Sequence, residues 1–132
     1  MKFAAAVAAT LLVGSVLVGC SNDKPAVCDD VNNLKTSVED IKSIDVTSPG
    51  AVSDLESGLT AIKSDVAAVK TDAKSQYATQ VDAVDSAFTT LTTSVDAAKA
   101  DPSATTFAAV TAAAGTLTTA VQKLADDVNS TC

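Results

Sequence analysis

The chain of 132 residues contains no histidine, no arginine and no tryptophan, and it has one tyrosine and three phenylalanines. Histidine is the most frequent general base and the usual partner of a catalytic nucleophile, so its absence removes the common machinery of hydrolases and acyl transferases. Paired carboxylates remain, but their chemistry needs a cleft, and stripes of Val and Ala offer no evident one. We therefore expect a non-enzymatic protein without a cofactor.

Positive charge is also scarce. Nine lysines stand against sixteen aspartates and glutamates, which gives a formal net charge of −7. Proteins bind nucleic acids by neutralising phosphates with Lys and Arg, so this balance excludes a nucleic-acid partner. An anionic membrane surface would repel the chain for the same reason, so a lipid, and not a basic patch, must supply any membrane attachment.

The start of the chain has the layout of a secretory signal peptide. Lys2 precedes an apolar run over residues 3–18, and a positive charge followed by such a run is typical of an export signal. The run is shorter than the ~20 residues that span a bilayer as a stable helix. It ends in Leu17, Val18, Gly19 and Cys20, which resembles the lipobox of bacterial lipoproteins, where small residues precede a cysteine that is diacylated before cleavage.

The resemblance implies three segments: a signal peptide over residues 1–19, a lipidated tether over 20–27 and a folded domain over 28–132. Two acyl chains hold a protein stably on a bilayer, so an acylated Cys20 would place the domain on the extracytoplasmic side of the cell membrane. An ordinary secretory signal followed by a chance cysteine is the alternative. The abundance of Ala, Thr, Val and Asp would suit a GC-rich genome such as that of an actinobacterium, whereas the lack of Arg would not.

Two further cysteines, Cys28 and Cys132, lie at the two ends of the expected domain. In an exported, oxidising setting such a pair predicts a disulfide. A loop of roughly 100 residues closed in this way is worth about 4.7 kcal/mol in the chain-entropy model. Redox-active thiols and an intermolecular bridge are the competing interpretations.

Apolar residues recur every three or four positions along almost all of residues 28–132, which predicts helices with one buried stripe each. Ser48 with Pro49, and Asp101 with Pro102, have the residue types that start helices. We expect an all-α, antiparallel four-helix bundle closed by the terminal disulfide. The stripes consist of Val31, Leu34, Val38, Ile41 and Ile44; Val52, Leu55, Leu59, Ile62, Val66, Val69 and Ala73; Val81, Val84, Phe88, Leu91, Val95 and Ala98; and Phe107, Val110, Ala114, Leu117, Val121, Leu124 and Val128.

The stripe slips by one residue between Ala73 and Val81. A turn over Ser75, Gln76 and Tyr77, with Thr79 and Asp82 as a capping box for a new helix, would explain the slip. This region contains neither Gly nor Pro, so one long central helix in an extended coiled-coil hairpin remains an alternative. Tyr77 either packs over the turn, which we favour, or anchors a partner.

Two acidic doublets are the weak candidates for a metal site. Asp29 and Asp30 begin the domain, Asp126 and Asp127 end it, and the expected disulfide would bring both doublets to one end. Four carboxylates could hold a hard cation such as calcium, although no metal loop is recognisable and solvated surface charge is the simpler interpretation.

These observations favour an envelope lipoprotein that acts as a spacer or protein-interaction module. Its expected partners are membrane lipid, through the acylated Cys20, and an envelope protein. A small-ligand or divalent-cation carrier is the alternative function.

Overall fold

The structure is a computed structural model and describes residues 25–132. Short connections join helices that pack side by side, so successive helices run antiparallel, and α1 also packs against α4. This is the predicted four-helix bundle, and the alternative with one long central helix is wrong. The elements are α1 (Ala26–Lys42), α2 (Ala51–Asp72), a 3₁₀ turn (Ser75–Tyr77), α3 (Ala78–Ala100) and α4 (Ala104–Asn129).

The beginning of the chain falls outside this description. The expected signal peptide, the lipidation residue Cys20 and residues 20–24 of the tether lie outside the described residues. Helix α1 begins at Ala26, directly after Pro25, so the last two residues assigned to the tether are helical. Val27 is only 2% exposed, and the burial of its side chain extends the helix beyond the expected start at residue 28.

The predicted stripes form one continuous core that runs the length of the bundle. Five of the predicted stripe residues are only partly buried: Ile44, Val52, Ala73, Phe88 and Phe107. Ala51 and Ala87 are buried where the spacing predicts Val52 and Phe88, which are half-buried. An alanine at a buried position lets neighbouring helices approach, and the Phe88 ring instead lines a groove between α2 and α3. Phe107, also assigned to a stripe, packs against the edge of the core.

The helix starts are less well predicted than the stripes. Helix α2 begins at Ala51 after Gly50 and has no side-chain cap, so Ser48 and Pro49 belong to the preceding turn. In that turn Asp45 accepts hydrogen bonds from the amide and the hydroxyl of Thr47.

Helix α4 is capped at Ser103, two positions later than Asp101 and Pro102 imply. Ser103 accepts a hydrogen bond from the Thr106 amide, and the Ser103 amide donates to the Thr106 hydroxyl. This reciprocal pair satisfies two backbone groups that the end of an isolated helix leaves open.

The slip in the stripe marks a real turn. Helix α2 ends at Asp72, and α3 begins at Ala78 without a side-chain cap, so the predicted capping box of Thr79 and Asp82 does not form. Tyr77 fills the turn instead. Its side chain is 5% exposed, and its hydroxyl lies 2.9 Å from Thr131 Oγ1 at the other end of the chain. Packing over the turn, rather than exposure to a partner, is therefore the role that the structure gives to Tyr77.

Cys28 and Cys132 form the predicted disulfide, with their Cα atoms 6.3 Å apart. This distance lies within the usual span of about 4.4 to 6.8 Å. The Cys28 side chain is completely buried, so the bridge joins the start of α1 to the residues that follow α4 at the edge of the core.

Candidate functional site

The two ends of the bundle are chemically different. One end, here called the anchored end, holds the start of α1, the 3₁₀ turn and the disulfide, and the expected lipid tether enters there at Pro25. The opposite end, the far end, holds the loops at residues 43–50 and 101–103. A lipid on Cys20 would therefore place the anchored end next to the bilayer and the far end away from it.

The acidic doublets do not form the cation site that the sequence allowed. Asp30 interacts with Asp72 and Asp65 of α2, and Asp127 accepts a hydrogen bond from Gln80 of α3. Within residues 25–132 no three His, Cys, Asp or Glu side chains are arranged to hold a metal ion. The sequence places the doublets at one end but does not show which neighbouring helix each carboxylate faces.

Asp30 is nevertheless electrostatically perturbed. Burial raises its pKa above the ordinary value of 3.8, and the Asp72 carboxyl and the charges of Asp29 and Asp65 raise it further. One carboxylate oxygen, Oδ2, is buried and has no hydrogen-bond partner among the described residues. The charged form of Asp30 is thus disfavoured in the folded protein.

The most distinctive feature is a groove of about 340 Å³ between α2 and α3. These two helices pack less closely than the other neighbouring pairs. Leu59 and Phe88 form the apolar part of the groove, and Lys63 is its only charged lining residue. The rest of the lining is threonine, and each hydroxyl donates to a carbonyl four residues earlier in its own helix: Thr60, Thr89, Thr92 and Thr93.

Two ion pairs flank this groove. Lys99 Nζ lies 2.6 Å from Glu56 Oε1 on the far-end side, and Lys70 Nζ lies 3.2 Å from Asp85 Oδ2 on the anchored-end side. Both pairs join α2 to α3, and the contact with Glu56 raises the pKa of Lys99. All four side chains are substantially exposed, so each pair adds little stability.

Lys63 occupies the middle position of this series. On α2, Lys63 lies seven residues after Glu56 and seven before Lys70. On α3, Thr92 lies midway between the partners of these two residues. Both side chains line the groove. A threonine thus stands where the pattern would place a carboxylate, and Lys63 has no ion-pair partner among residues 25–132.

A second feature is the outer face of α4. The chain has no charged residue from Pro102 to Gln122, and the side of α4 turned away from the core carries small, mostly exposed residues. Each of these residues comes two positions before a residue of the buried stripe. This spacing places it about 200° away around the helix axis, on the opposite side. The outer face of α4 consists of Thr105, Ala108, Ala112, Gly115, Thr119 and Gln122.

By length and composition α4 would qualify as a membrane span, with a mean hydropathy of 1.3 in its most apolar 18-residue window. Only 28% of that window is buried in the bundle. Some apolar residues of α4 are thus buried in the core, whereas most residues of the 18-residue window lie outside the core. A groove of about 540 Å³ adjoins this face at the far end, lined in part by Val46, Pro102 and Phe107.

Comparisons with protein families, curated proteins and solved structures found no match for this chain. The class of protein that the fold defines is a disulfide-closed, acidic four-helix bundle, with an amphipathic groove on one side and an uncharged helix face on another. Neither surface was predicted from the sequence. The sequence shows the heptad spacing of Glu56, Lys63 and Lys70, but this spacing indicates a groove only once the alignment of α2 with α3 is known.

Proposed function

We propose that the protein is a non-enzymatic envelope lipoprotein that holds a rigid helical bundle at the extracytoplasmic membrane surface and binds an envelope protein through the outer face of α4. The lipobox-like residues up to Cys20 support the anchoring part of the proposal, and two acyl chains provide the required stability. The entry of the tether at the anchored end leaves the long sides of the bundle accessible.

The observation that carries the interaction part is the uncharged, exposed surface of α4. Burying charged groups in an interface is costly unless each one finds a partner. The outer face of α4 avoids that cost, because no charge lies between Pro102 and Gln122. The exposed positions of α1 and α2, in contrast, include lysines and carboxylates along their whole length.

Gly115 adds a second argument. Glycine inside a helix costs about 1 kcal/mol relative to alanine, yet a Cβ atom built on Gly115 would meet nothing within 4 Å. The bundle itself therefore does not require this glycine. A partner helix that approaches the α4 backbone closely would require it, because small residues permit short distances between helices.

A protein fits this face better than a lipid bilayer does. The exposed side chains are mainly Ala and Thr, which bury little apolar area per residue when they enter a membrane. Close packing against another helix uses small side chains efficiently, whereas insertion into lipid depends on large aliphatic and aromatic ones.

The test is photo-crosslinking in intact cells. A photoreactive amino acid replaces Ala112 on the outer face of α4 or, as a matched control, Ala67 on α2, which is also an exposed helical alanine. We expect a discrete protein adduct from position 112 alone, and its loss when Ala108→Glu introduces a charge on the same face. Equal adducts from both positions, adducts to lipid only, or adducts only to a second copy of the chain would each refute the proposed partner.

The anchoring part has its own test. Cys20→Ala should release the exported protein from the membrane fraction or leave it as an unprocessed precursor, while Ser21→Ala should change neither. Metabolic labelling with a fatty-acid analogue should mark the unmodified chain and not the Cys20→Ala variant. Labelling of that variant would show that the lipid is attached elsewhere.

A further inference from the structure

We infer that the groove between α2 and α3 binds a free medium-chain carboxylate, whose charged group pairs with Lys63 and whose alkyl chain covers Phe88 and Leu59. This is a ligand-binding activity separate from the protein contact proposed for α4. Its residues lie on other helices, so either proposal can fail without the other.

The charge argument begins with the alignment of α2 and α3. An ion pair joins α2 to α3 on each side of the groove, and at the central position of the same series Lys63 and the neutral Thr92 both line the groove. Five of the seven lysines among residues 25–132 form no ion pair, but among these five only Lys63 lines the groove. The missing negative charge defines what a ligand must supply at this position.

The apolar part of the groove defines the rest of the ligand. Phe88 is one of only two phenylalanines in the described chain, and its ring lies at the side of the bundle instead of in the core. Leu59 lies on the opposite wall. Leu59 is only 9% exposed, so a ligand whose methylene groups cover the half-buried Phe88 ring removes apolar surface from water mainly on the α3 side, which favours binding.

The threonines restrict the ligand further. Their hydroxyl protons are already donated to backbone carbonyls, so the groove walls offer methyl groups and acceptor lone pairs but no hydroxyl donor. A carboxylate therefore has one suitable partner, the Lys63 ammonium, and a polyhydroxylated ligand such as a sugar finds few complementary donors.

The groove has a volume of about 340 Å³ and is open to solvent. A groove of this volume contacts only a short ligand segment, and octanoate, with one carboxylate and a short alkyl chain, is the probe that matches it.

The test is a titration of the purified, disulfide-closed protein with octanoate, followed by amide chemical shifts. We expect saturable shifts confined to the segments that include Leu59–Lys63 on α2 and residues 88–93 on α3. Octylammonium, which has the opposite charge, and acetate, which lacks the chain, should give no saturable shifts. Equal binding of octylammonium, or octanoate shifts spread over all four helices, would overturn the inference.

Variants separate the charge contribution from the fold. Lys63→Gln should weaken octanoate binding about fivefold, the effect of an exposed ion pair. Lys35→Gln on α1 removes one positive charge equally and should have no effect. Thr92→Glu supplies the missing carboxylate from within the chain, so it should abolish octanoate binding and leave the bundle folded. Unchanged binding by either Lys63→Gln or Thr92→Glu would refute the role of Lys63.

Discussion

The same substitution at two glycines should have opposite effects on stability. Gly58 lies in α2 and Gly115 in α4, and both are helix-interior positions. Replacing glycine by alanine in a helix is worth about 1 kcal/mol from backbone propensity alone. The environments differ, because the new Cβ atom at Gly58 would lie 2.5 Å from Ile41 Cγ1 and 3.0 Å from its Cδ1, while nothing lies within 4 Å at Gly115.

The magnitude follows from these distances. Gly115→Ala should raise the free energy of unfolding by about 1 kcal/mol, because it gains propensity without a steric cost. At Gly58 the buried Ile41 side chain, which is 3% exposed, has to move. Overpacking of this kind costs about 1 to 3 kcal/mol, so Gly58→Ala should be neutral or up to about 2 kcal/mol destabilising. The two variants should differ by about 1 to 3 kcal/mol.

Circular dichroism during thermal and urea unfolding, with the disulfide intact, measures both variants. A change of 1 kcal/mol corresponds to a shift in Tm of about 4 °C or slightly more in a domain of this size. The double variant of Gly58→Ala with Ile41→Ala is the control for this contact. Ile41→Ala should lower the free energy of unfolding less in the Gly58→Ala background than in the unmodified protein, because the new methyl group fills part of the space left by Ile41. If Gly58→Ala stabilises as much as Gly115→Ala, the close packing of α1 on α2 described here is incorrect.

Three further changes test other parts of the fold. Reduction of the Cys28–Cys132 bridge should lower the free energy of unfolding by up to about 4.7 kcal/mol, measured by urea unfolding with and without reductant; an unchanged midpoint would show that the bridge does not limit the unfolded chain. Asp30→Asn should stabilise the protein above the ordinary carboxyl pKa and have no effect below it. Burial and the Asp72 carboxyl raise the pKa of Asp30 in the folded state. The contribution of Asp30 to stability is therefore fully present at low pH and is lost as the pH rises; a difference in Tm that is independent of pH would contradict this raised pKa. Ser103→Ala should cost about 1 kcal/mol through loss of the α4 cap, and an unchanged Tm would show that the cap is dispensable.

Most of the core was predictable because helical spacing fixes the buried positions near the centre of each stripe. Val31, Leu34 and Val38 were assigned to it from spacing alone, and each is at most 1% exposed. Phe88 was not placed correctly, because positions 87 and 88 both lie at the edge of the stripe. Packing against the neighbouring helix, which the spacing does not encode, decides between them.

The helix starts and the groove depend on information that a single stripe lacks. Pro49 and Pro102 fit the first turn of a helix and the preceding loop equally well, and the path of the loop determines which one occurs. The groove becomes visible only when α2 and α3 are known to be antiparallel neighbours in a particular alignment. Lys63 in the sequence is one exposed lysine among many, and its significance comes from Thr92 on another helix.

The weak contact between α2 and α3 is compatible with a stable bundle because of how the chain is closed. The disulfide joins the ends of α1 and α4, and the remaining neighbours, α1 with α2 and α3 with α4, pack closely. Loss of packing on one side of a four-helix ring opens it only if the chain ends can separate, and the covalent bond prevents that on the α1–α4 side. The bond reduces the entropy of the unfolded chain by the equivalent of about 4.7 kcal/mol, so it stabilises the bundle independently of how closely α2 and α3 pack.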